Sequence, residues 1–379
     1  MTPSPAGRVV RHVVTLVSDD GAYGGPVSVA TGQLAELTAR GHDTALLSLW
    51  RGQGPPPATA DGVPLRAFAA RTLIPGRGFL GLFSARLAVA LWREAGRADV
   101  LQVHAGRDLV SLAALLAARL RGTPYLVQTH GMVQPRGGAV ARAFDAALVP
   151  LLRRARACLV LTAEEEQGLA AVLGAGRPPL LRLPNGVRRA VPPAGERDPD
   201  LVLYLARLHP RKRPEAFVDA AALLTARRPA TRFVLHGADE GSLPAVRDRI
   251  ARGGLADRVR YGGPVAHDAA LDRLARAAVY VLPSVREPFP MSVLEALAAG
   301  TPVVLTDSCG IAGTLADSGA ALVTDGSPQA LADAVDRLLG DPDLRARTVA
   351  AGHRAVETVF SLTAVADRLT QEYEAACGG

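Results

Sequence analysis

From Val9 onward, short runs rich in Val and Leu alternate with Ala-, Leu- and Arg-rich stretches whose apolar residues recur at helical spacing. This is the pattern of a parallel sheet covered by helices on both faces: buried strands read as continuous apolar runs, and the crossovers between them as amphipathic helices. In the first half it predicts strands at Val9 to Val17, Thr44 to Trp50, Asp99 to Ala105, Tyr125 to His130, Cys158 to Thr162 and Leu180 to Leu183. In the second half it predicts them at Leu201 to Ala206, Arg232 to Gly237, Val259 to Gly262, Ala278 to Ser284, Pro302 to Asp307 and Ala320 to Val323. Between the two sets, residues 184–200 (PNGVRRAVPPAGERDPD) lose periodicity to prolines, glycines and charges, so this stretch reads as a linker.

A chain of 379 residues is too long for one ordinary core. The expected division is an N-terminal domain over 1–190, a C-terminal domain over 191–360, and a last helical stretch, 361–379, packing back on the first domain. The expected fold class is α/β: two doubly wound Rossmann-like domains that would face each other across a cleft, with ligands at the carboxyl ends of the strands.

Composition narrows the picture. Hydrophobic residues at 49% with 21% charged give a globular profile rather than a disordered one. The apolar run Val13 to Val17 is followed by two aspartates and reads as neither signal peptide nor membrane span. Three cysteines, Cys158, Cys309 and Cys377, lack metal-ligand spacing and point to a reduced, cytoplasmic protein. Charge is uneven: residues 1–190 carry 22 Arg against 12 acidic residues, the remainder 21 basic against 24 acidic. Without lysine runs or aromatic-interleaved basic stripes, the basic half suits an anionic ligand or membrane surface rather than nucleic acid, or simply a dispersed solvated Arg surface. Residues 77–96, with Phe79, Leu80, Leu82 and Phe83 near Arg77, Arg86 and Arg93, read either as a core helix or as one that touches a membrane or grips the acceptor.

Of 43 basic residues only one is a lysine, Lys212, in LARLHPRKRPEAF. The strongest local pattern is VLPSVREPFPMSVLEALAAGTPVV, residues 281–304: a strand, a loop carrying Glu287 before Pro288, then a helix expected to start near Ser292. The unpaired amides of such a helix start attract phosphate, and two carboxylates beside them can accept hydrogen bonds from sugar hydroxyls. Ser292 to Glu295 is also a capping-box sequence, which offers Glu295 a purely structural role. Glu287 has no such alternative.

Glu287 and Glu295, followed by EALAAGTPVV, resemble the Glu-x7-Glu signature of glycosyltransferase family 4, retaining enzymes of the GT-B fold. The resemblance spans nearly the whole chain: Gly24-Gly25 after the first strand, Arg40-Gly41-His42, His130-Gly131, Pro184 to Val187, Arg207 with Lys212, and Gly237 to Gly241 follow in order. It implies that Arg207 and Lys212 grip the donor diphosphate, with Gly24-Gly25 approaching it as a loop. Glu287 would lie against the donor sugar, with backbone contacts from Phe289, Pro290 and Met291, and Ser292 beside them. Glu295 would hold the ribose hydroxyls and His130 would contact the sugar near the reacting carbon. His104 also ends a predicted strand; it reads as structural or as a contact to the acceptor. Two departures, Gly313 where the family often carries Glu and Pro290 where Gly is usual, bear on the identity of the sugar.

The implied activity moves a hexosyl or N-acetylhexosaminyl group from a UDP- or GDP-sugar to an acceptor hydroxyl with retention, with no metal, no cofactor and no protein general base. No Asp-x-Asp triplet occurs, and Asp19-Asp20 are adjacent rather than spaced to chelate. The acceptor would be a small metabolite or a lipid-linked glycan, with peripheral membrane contact through the basic half. The Arg- and Ala-rich composition suggests a GC-rich, actinobacterial-like source. The alternatives are an epimerase or hydrolase of the same fold, or a non-catalytic sugar-nucleotide binding subunit. A Walker loop fits poorly because Arg213 follows the lysine and the required glycines do not precede it, and a dinucleotide reductase fits poorly because the first strand leads into DDGAYGGP rather than Gly-x-Gly-x-x-Gly.

Overall fold

The computed structural model describes residues 7–19, 24–74, 76, 78–188 and 196–378. The chain divides into two compact units, Met1–Gly186 together with Leu362–Gly379, and Val187–Ser361.

In the first unit the strands are β1 (Val9–Ser18), β2 (Asp43–Arg51), β3 (Thr59–Ala60), β4 (Val63–Ala69), β5 (Arg71–Thr72), β6 (Leu82–Phe83), β7 (Val100–His104), β8 (Tyr125–Gln128), β9 (Ala157–Val160) and β10 (Leu180–Arg182). Its helices are α1 (Gly24–Ala39), α2 (Ala85–Ala95), α3 (Leu109–Arg121), α4 (Ala139–Leu152) and α5 (Ala163–Leu173). Eight strands form one sheet in the order β10-β9-β8-β7-β1-β2-β4-β3, and only the short β3 runs antiparallel to its neighbour. Alternation along β1 sends Val13 into the core under α2 to α5, and Val10 and Val14 into the cores on the other face, which α1 helps to build.

The second unit contains β11 (Asp198–Leu205), β12 (Arg232–His236), β13 (Val259–Tyr261), β14 (Ala277–Leu282), β15 (Val303–Thr306) and β16 (Leu322–Thr324). Between and after them run α6 (Pro214–Thr225), α7 (Leu243–Arg252), α8 (His267–Arg276), α9 (Met291–Ala298), α10 (Ala312–Asp317), α11 (Pro328–Gly340) and α12 (Pro342–Thr358). The six strands are parallel in the order β13-β12-β11-β14-β15-β16, the doubly wound arrangement whose direction of winding reverses between β11 and β14. The last helix, α13 (Leu362–Cys377), belongs to the first unit, where Leu369 and Tyr373 are wholly buried and the Arg40 guanidinium reaches Asp367 at 2.8 Å.

The twelve strands read from apolar runs are all present; β3 to β6 are not among them. β4 reads VPLRAFA, a half-exposed pattern in which only Val63 and Leu65 are buried, and the alternating Pro64 and Arg66 hide it. Residues 77–96 do not form one helix. Gly78–Gly81 is a 3-10 turn, β6 pairs with β5, and only α2 is helical; Leu87 and Leu91 face the core while Val89 and Trp92 face out. Arg77 lies outside the described residues.

A line of buried polar side chains crosses the first unit. His12 of β1, His104 of β7 and Tyr373 of α13 are almost fully inaccessible, and His130 follows β8. His130 Nε2 lies 2.8 Å from His104 Nδ1, His104 Nε2 lies 3.1 Å from His12 Nδ1, and His12 Nε2 lies 2.9 Å from the Tyr373 hydroxyl. Burial pushes His12 and His130 down to about 3 and holds His104 well below its ordinary value, so all three rings are neutral near pH 7. In the unfolded chain a histidine titrates near 6.5. Between these values the unfolded chain takes up protons that the folded chain refuses, so stability falls as pH is lowered through that window. Urea denaturation should therefore show a lower midpoint at about pH 5 than at about pH 7.5. Equal midpoints would contradict the neutral burial of these rings.

Candidate active site

In the second unit the loops at the reversal between β11 and β14 carry the candidate residues. After β11 the chain passes Arg207 and enters a 3-10 turn, Pro210–Lys212, which His209 caps by accepting a hydrogen bond from the Arg211 amide at Nδ1 (3.1 Å). Arg213, at φ +50, closes the turn in the left-handed region, and Pro214 opens α6 in the first helical position, where its missing N–H costs nothing. The Val285 amide donates to the Arg211 carbonyl (2.9 Å), tying this turn to the loop after β14. The loop position of Lys212 is thus held from both sides.

Lys212 Nζ lies 2.7 Å from Glu287 Oε2, and an Arg211 guanidinium nitrogen lies 3.8 Å from the same oxygen. Glu287 is buried, and its carbonyl accepts from the Gly310 amide (2.8 Å). Burial pulls the Lys212 ammonium below its ordinary value, and the Glu287 carboxylate opposes that pull. Glu287 therefore has the structural partner that its place before Pro288 did not reveal. Burial, with Glu287 nearby, also pushes the Cys309 thiol up to about 11, so this cysteine stays protonated.

The signature helix begins one residue earlier than expected, at Met291, with Pro290 at the cap position and no side-chain cap. The capping box does not form. Ser292 lies inside the first turn with its Oγ 2.7 Å from the Tyr280 hydroxyl, and Glu295 is half-buried within the helix. The first-turn amides of α9, around Met291 and Ser292, are thus left without side-chain acceptors at Pro290, the group an anion would satisfy. Phe289 is buried edge-on against Phe360.

Arg207 donates from one nitrogen to both oxygens of Glu240, at 2.7 and 2.9 Å. Nothing in the sequence pattern had marked Glu240. Gly237, at φ +147, packs so closely that a Cβ would sit 1.9 Å from the Ala206 carbonyl oxygen, so only glycine lets the β11 and β12 loops meet there. Arg213 is half-buried, and a Cβ on Gly326 would come within 2.6 Å of its guanidinium.

In the first unit, His130 and Gly131 both take positive φ, +49 and +73, which turns the chain sharply at the end of β8. Left-handed backbone at a histidine costs about 1–2 kcal/mol and persists because its surroundings impose it. The clamp is Glu165, buried and missed in the sequence. Its Oε1 accepts from Thr129 Oγ1 and from the Gly131 amide, each at 2.5 Å, and its Oε2 accepts from the Leu161 amide at 2.7 Å. His104 is 1% exposed with both ring nitrogens engaged by other histidines, so it does not present itself to an acceptor; it backs His130 instead. Gly24 and Gly25 are the first residues of α1 rather than a loop, and Asp20 lies outside the described residues. Asp19 accepts from the Gln53 amide at 2.7 Å. Asp108, which caps α3, is buried against Thr15 and Ser111, and burial raises its carboxyl above the ordinary value.

Among the described residues no three His, Cys, Asp or Glu side chains gather to hold a metal ion, and no helix is long and apolar enough to cross a membrane.

Residues 24–186 match the model of the glycosyl transferase 4-like domain, and residues 190–355 that of the glycosyl transferases group 1. A D-inositol 3-phosphate glycosyltransferase from Acidothermus cellulolyticus is 28% identical over 92% of this chain and 85% of its own. The alpha-D-kanosaminyltransferase of Streptomyces kanamyceticus is 30% identical over 72% of this chain and 76% of its own. Among solved structures, the Anabaena protein HepE in complex with UDP-glucose superposes with a TM-score of 0.73 at 19% identity, covering 97% of this chain and 100% of that one. A sucrose-phosphate synthase from Thermosynechococcus elongatus does so with 0.73 at 20% identity, covering 97% and 99%. Two Rossmann-like sheets, each matched in chain order by its own glycosyltransferase model, identify this chain as a member of the group 1, family 4 glycosyltransferases with the GT-B fold.

Proposed function

We propose that this glycosyltransferase moves a hexosyl or N-acetylhexosaminyl group from a UDP-sugar to an acceptor hydroxyl, with retention of configuration and without a metal ion. The observation that carries this reading is the Lys212–Glu287 pair at the β11/β14 reversal, with Arg207 on the same loop. As the glycosidic bond breaks, negative charge develops on the diphosphate, and a preorganised cation lowers that barrier without reorganising at the moment of reaction. An ammonium has three N–H donors; Glu287 takes one, leaving two for phosphate oxygens. Arg207 is the second cation, and exchanges part of its contact with Glu240 for phosphate. The amides of Met291 and Ser292 at the start of α9 take a further phosphate oxygen, with Gly24 and Gly25 at the start of α1 assigned the same chemistry. Glu287 is assigned to the sugar hydroxyls, Glu295 to the ribose, and His130 to the sugar beside the reacting carbon; the backbone of Phe289 and Pro290 shapes the sugar subsite.

UDP is the nucleotide of choice because HepE was solved with UDP-glucose, and a small polyol is the acceptor of choice because a relative carries the name D-inositol 3-phosphate glycosyltransferase. Reaction at a bilayer is supported by the outer faces of α2 and α3. There Val89, Trp92, Leu116 and Leu120 are exposed among Arg86, Arg93, Arg119 and Arg121, and the Arg121 guanidinium lies 5.1 Å from the Trp92 ring centre.

Three outcomes check this reading. In a thermal-shift panel of UDP-, GDP-, ADP- and TDP-sugars, a UDP-sugar should raise the melting temperature most, and mass spectrometry with that donor should find a glycosylated polyol rather than free sugar. Stabilisation of about 2.7 kcal/mol is expected at a hundredfold excess over Kd; no shift with any donor would remove the transferase reading. Lys212→Arg keeps the charge but replaces a compact ammonium by a planar fork. Its kcat should fall about ten- to hundredfold with an unchanged circular dichroism spectrum, and wild-type turnover would remove Lys212 from the mechanism. Finally, the protein should co-sediment with vesicles containing phosphatidylglycerol but not with phosphatidylcholine alone, and Trp92→Glu should abolish this. Equal sedimentation with both would discard the membrane face.

A further inference from the structure

The histidine line in the first unit has a direction. A neutral imidazole carries one N–H and one lone pair, so each ring in a row of three can only donate at one end and accept at the other. Two polarities are open: all three rings donate toward Tyr373, or all three donate away from it. The far end of the line decides. The Gln102 amide nitrogen donates to Gln33 Oε1 at 2.9 Å and to Gln128 Oε1 at 3.1 Å, which leaves its Oε1 as an acceptor. Gln128 in turn donates to Asn185 Oδ1 at 3.1 Å, and Gln33 donates to Gln128 at 3.2 Å, so every contact in the amide layer pairs a donor with an acceptor in the orientation the structure gives. The Tyr373 hydroxyl, 2.5 Å from Gln102 Oε1, spends its single hydrogen there. Burial holds this phenol well above its ordinary value, so the hydrogen stays on it. The phenol oxygen can then only accept from His12 Nε2–H. His12 Nδ1 must accept from His104 Nε2–H, and His104 Nδ1 from His130 Nε2–H.

We propose that Tyr373, acting through His12 and His104, is the positioning residue that fixes His130 as its Nε2–H tautomer. His130 Nδ1 then carries a lone pair and receives a hydrogen bond from a hydroxyl of its substrate; it does not donate one. Parallel register makes the line possible, since His12 of β1 pairs with Gln102 of β7, and His104 of β7 with Gln128 of β8. The left-handed turn clamped by Glu165 then carries the His130 ring back to His104. The effect on turnover rests on the transferase reading above; the tautomer does not.

The test is two-bond 1H–15N correlation spectroscopy on the full chain labelled at histidine nitrogens, with the His130 signals assigned by their loss in His130→Gln. The wild type should show the proton on Nε2. Tyr373→Phe removes the oxygen that orients the line, and its His130 should show an Nδ1–H population, with kcat lowered at least roughly tenfold. Because Tyr373→Phe could also loosen α13, His12 supplies a second pair of variants. His12→Gln can still donate to Tyr373 and accept from His104, and should keep the Nε2–H tautomer. His12→Leu can do neither, and should lose the tautomer together with kcat that His12→Gln recovers. An Nδ1–H tautomer in the wild type, or an unmoved Nε2–H tautomer in both Tyr373→Phe and His12→Leu, overturns the proposal. Tautomers that move as expected in a chain that transfers no sugar would uphold the relay and overturn the transferase reading.

Discussion

A parallel sheet covered by helices on both faces leaves only the ends of its strands for chemistry, and the rest of this structure follows from that constraint. The faces are spent on burial: β7, β8, β9 and β14 are buried at every position. A ligand can therefore be met only by loops, and a pair of loops diverges to make room where the winding reverses. In the second unit that place lies between β11 and β14, and the loops there supply Arg207, Lys212, Glu287 and the start of α9. Such loops would be free to wander without further restraint. Here a 3-10 turn, one inter-loop amide bond and the Lys212–Glu287 pair hold them.

That ion pair is better read as a positioning device than as a source of stability. Taking an ammonium and a carboxylate out of water costs much of what their attraction returns. The opposed pulls on Lys212, desolvation downward and Glu287 upward, are the electrostatic expression of the same balance. The pair holds a compact cation at one point, which suits the proposed task of meeting developing negative charge.

The first unit solves a different problem with the same economy. Five polar side chains, His12, Gln33, Gln102, His104 and Gln128, lie buried on β1, α1, β7 and β8, and each must find a partner or destabilise the core. They find one another, and α13 closes the line with Tyr373. The helix that follows the second unit in sequence thereby completes the interior of the first, with Leu369 and Tyr373 both fully buried. A network with every member satisfied specifies one arrangement of its parts, which is how a residue 243 positions away in sequence can govern the ring of His130.

Local pattern by itself determined the strands that are continuous apolar runs, the two doubly wound sheets, and the strand-end placement of the residues in the Glu-x7-Glu signature, because burial on both faces leaves an unbroken Val and Leu record in the chain. Strand β4, next to the short edge strand β3, escaped, since much of it faces water and its apolar positions only alternate. The capping box from Ser292 to Glu295 was legible and did not form, because the helix starts at Met291 with Pro290 at its cap, which places Ser292 inside the first turn, where its hydroxyl meets Tyr280. Glu165, Glu240, the pairing of Lys212 with Glu287 and the linking of the histidines into a line carry no local signature at all. Each depends on side chains brought together from distant strands by register and crossover. Periodicity is a property of neighbours along the chain, whereas a hydrogen bond between β1, β7 and α13 exists only once the sheet has set which residues stand side by side.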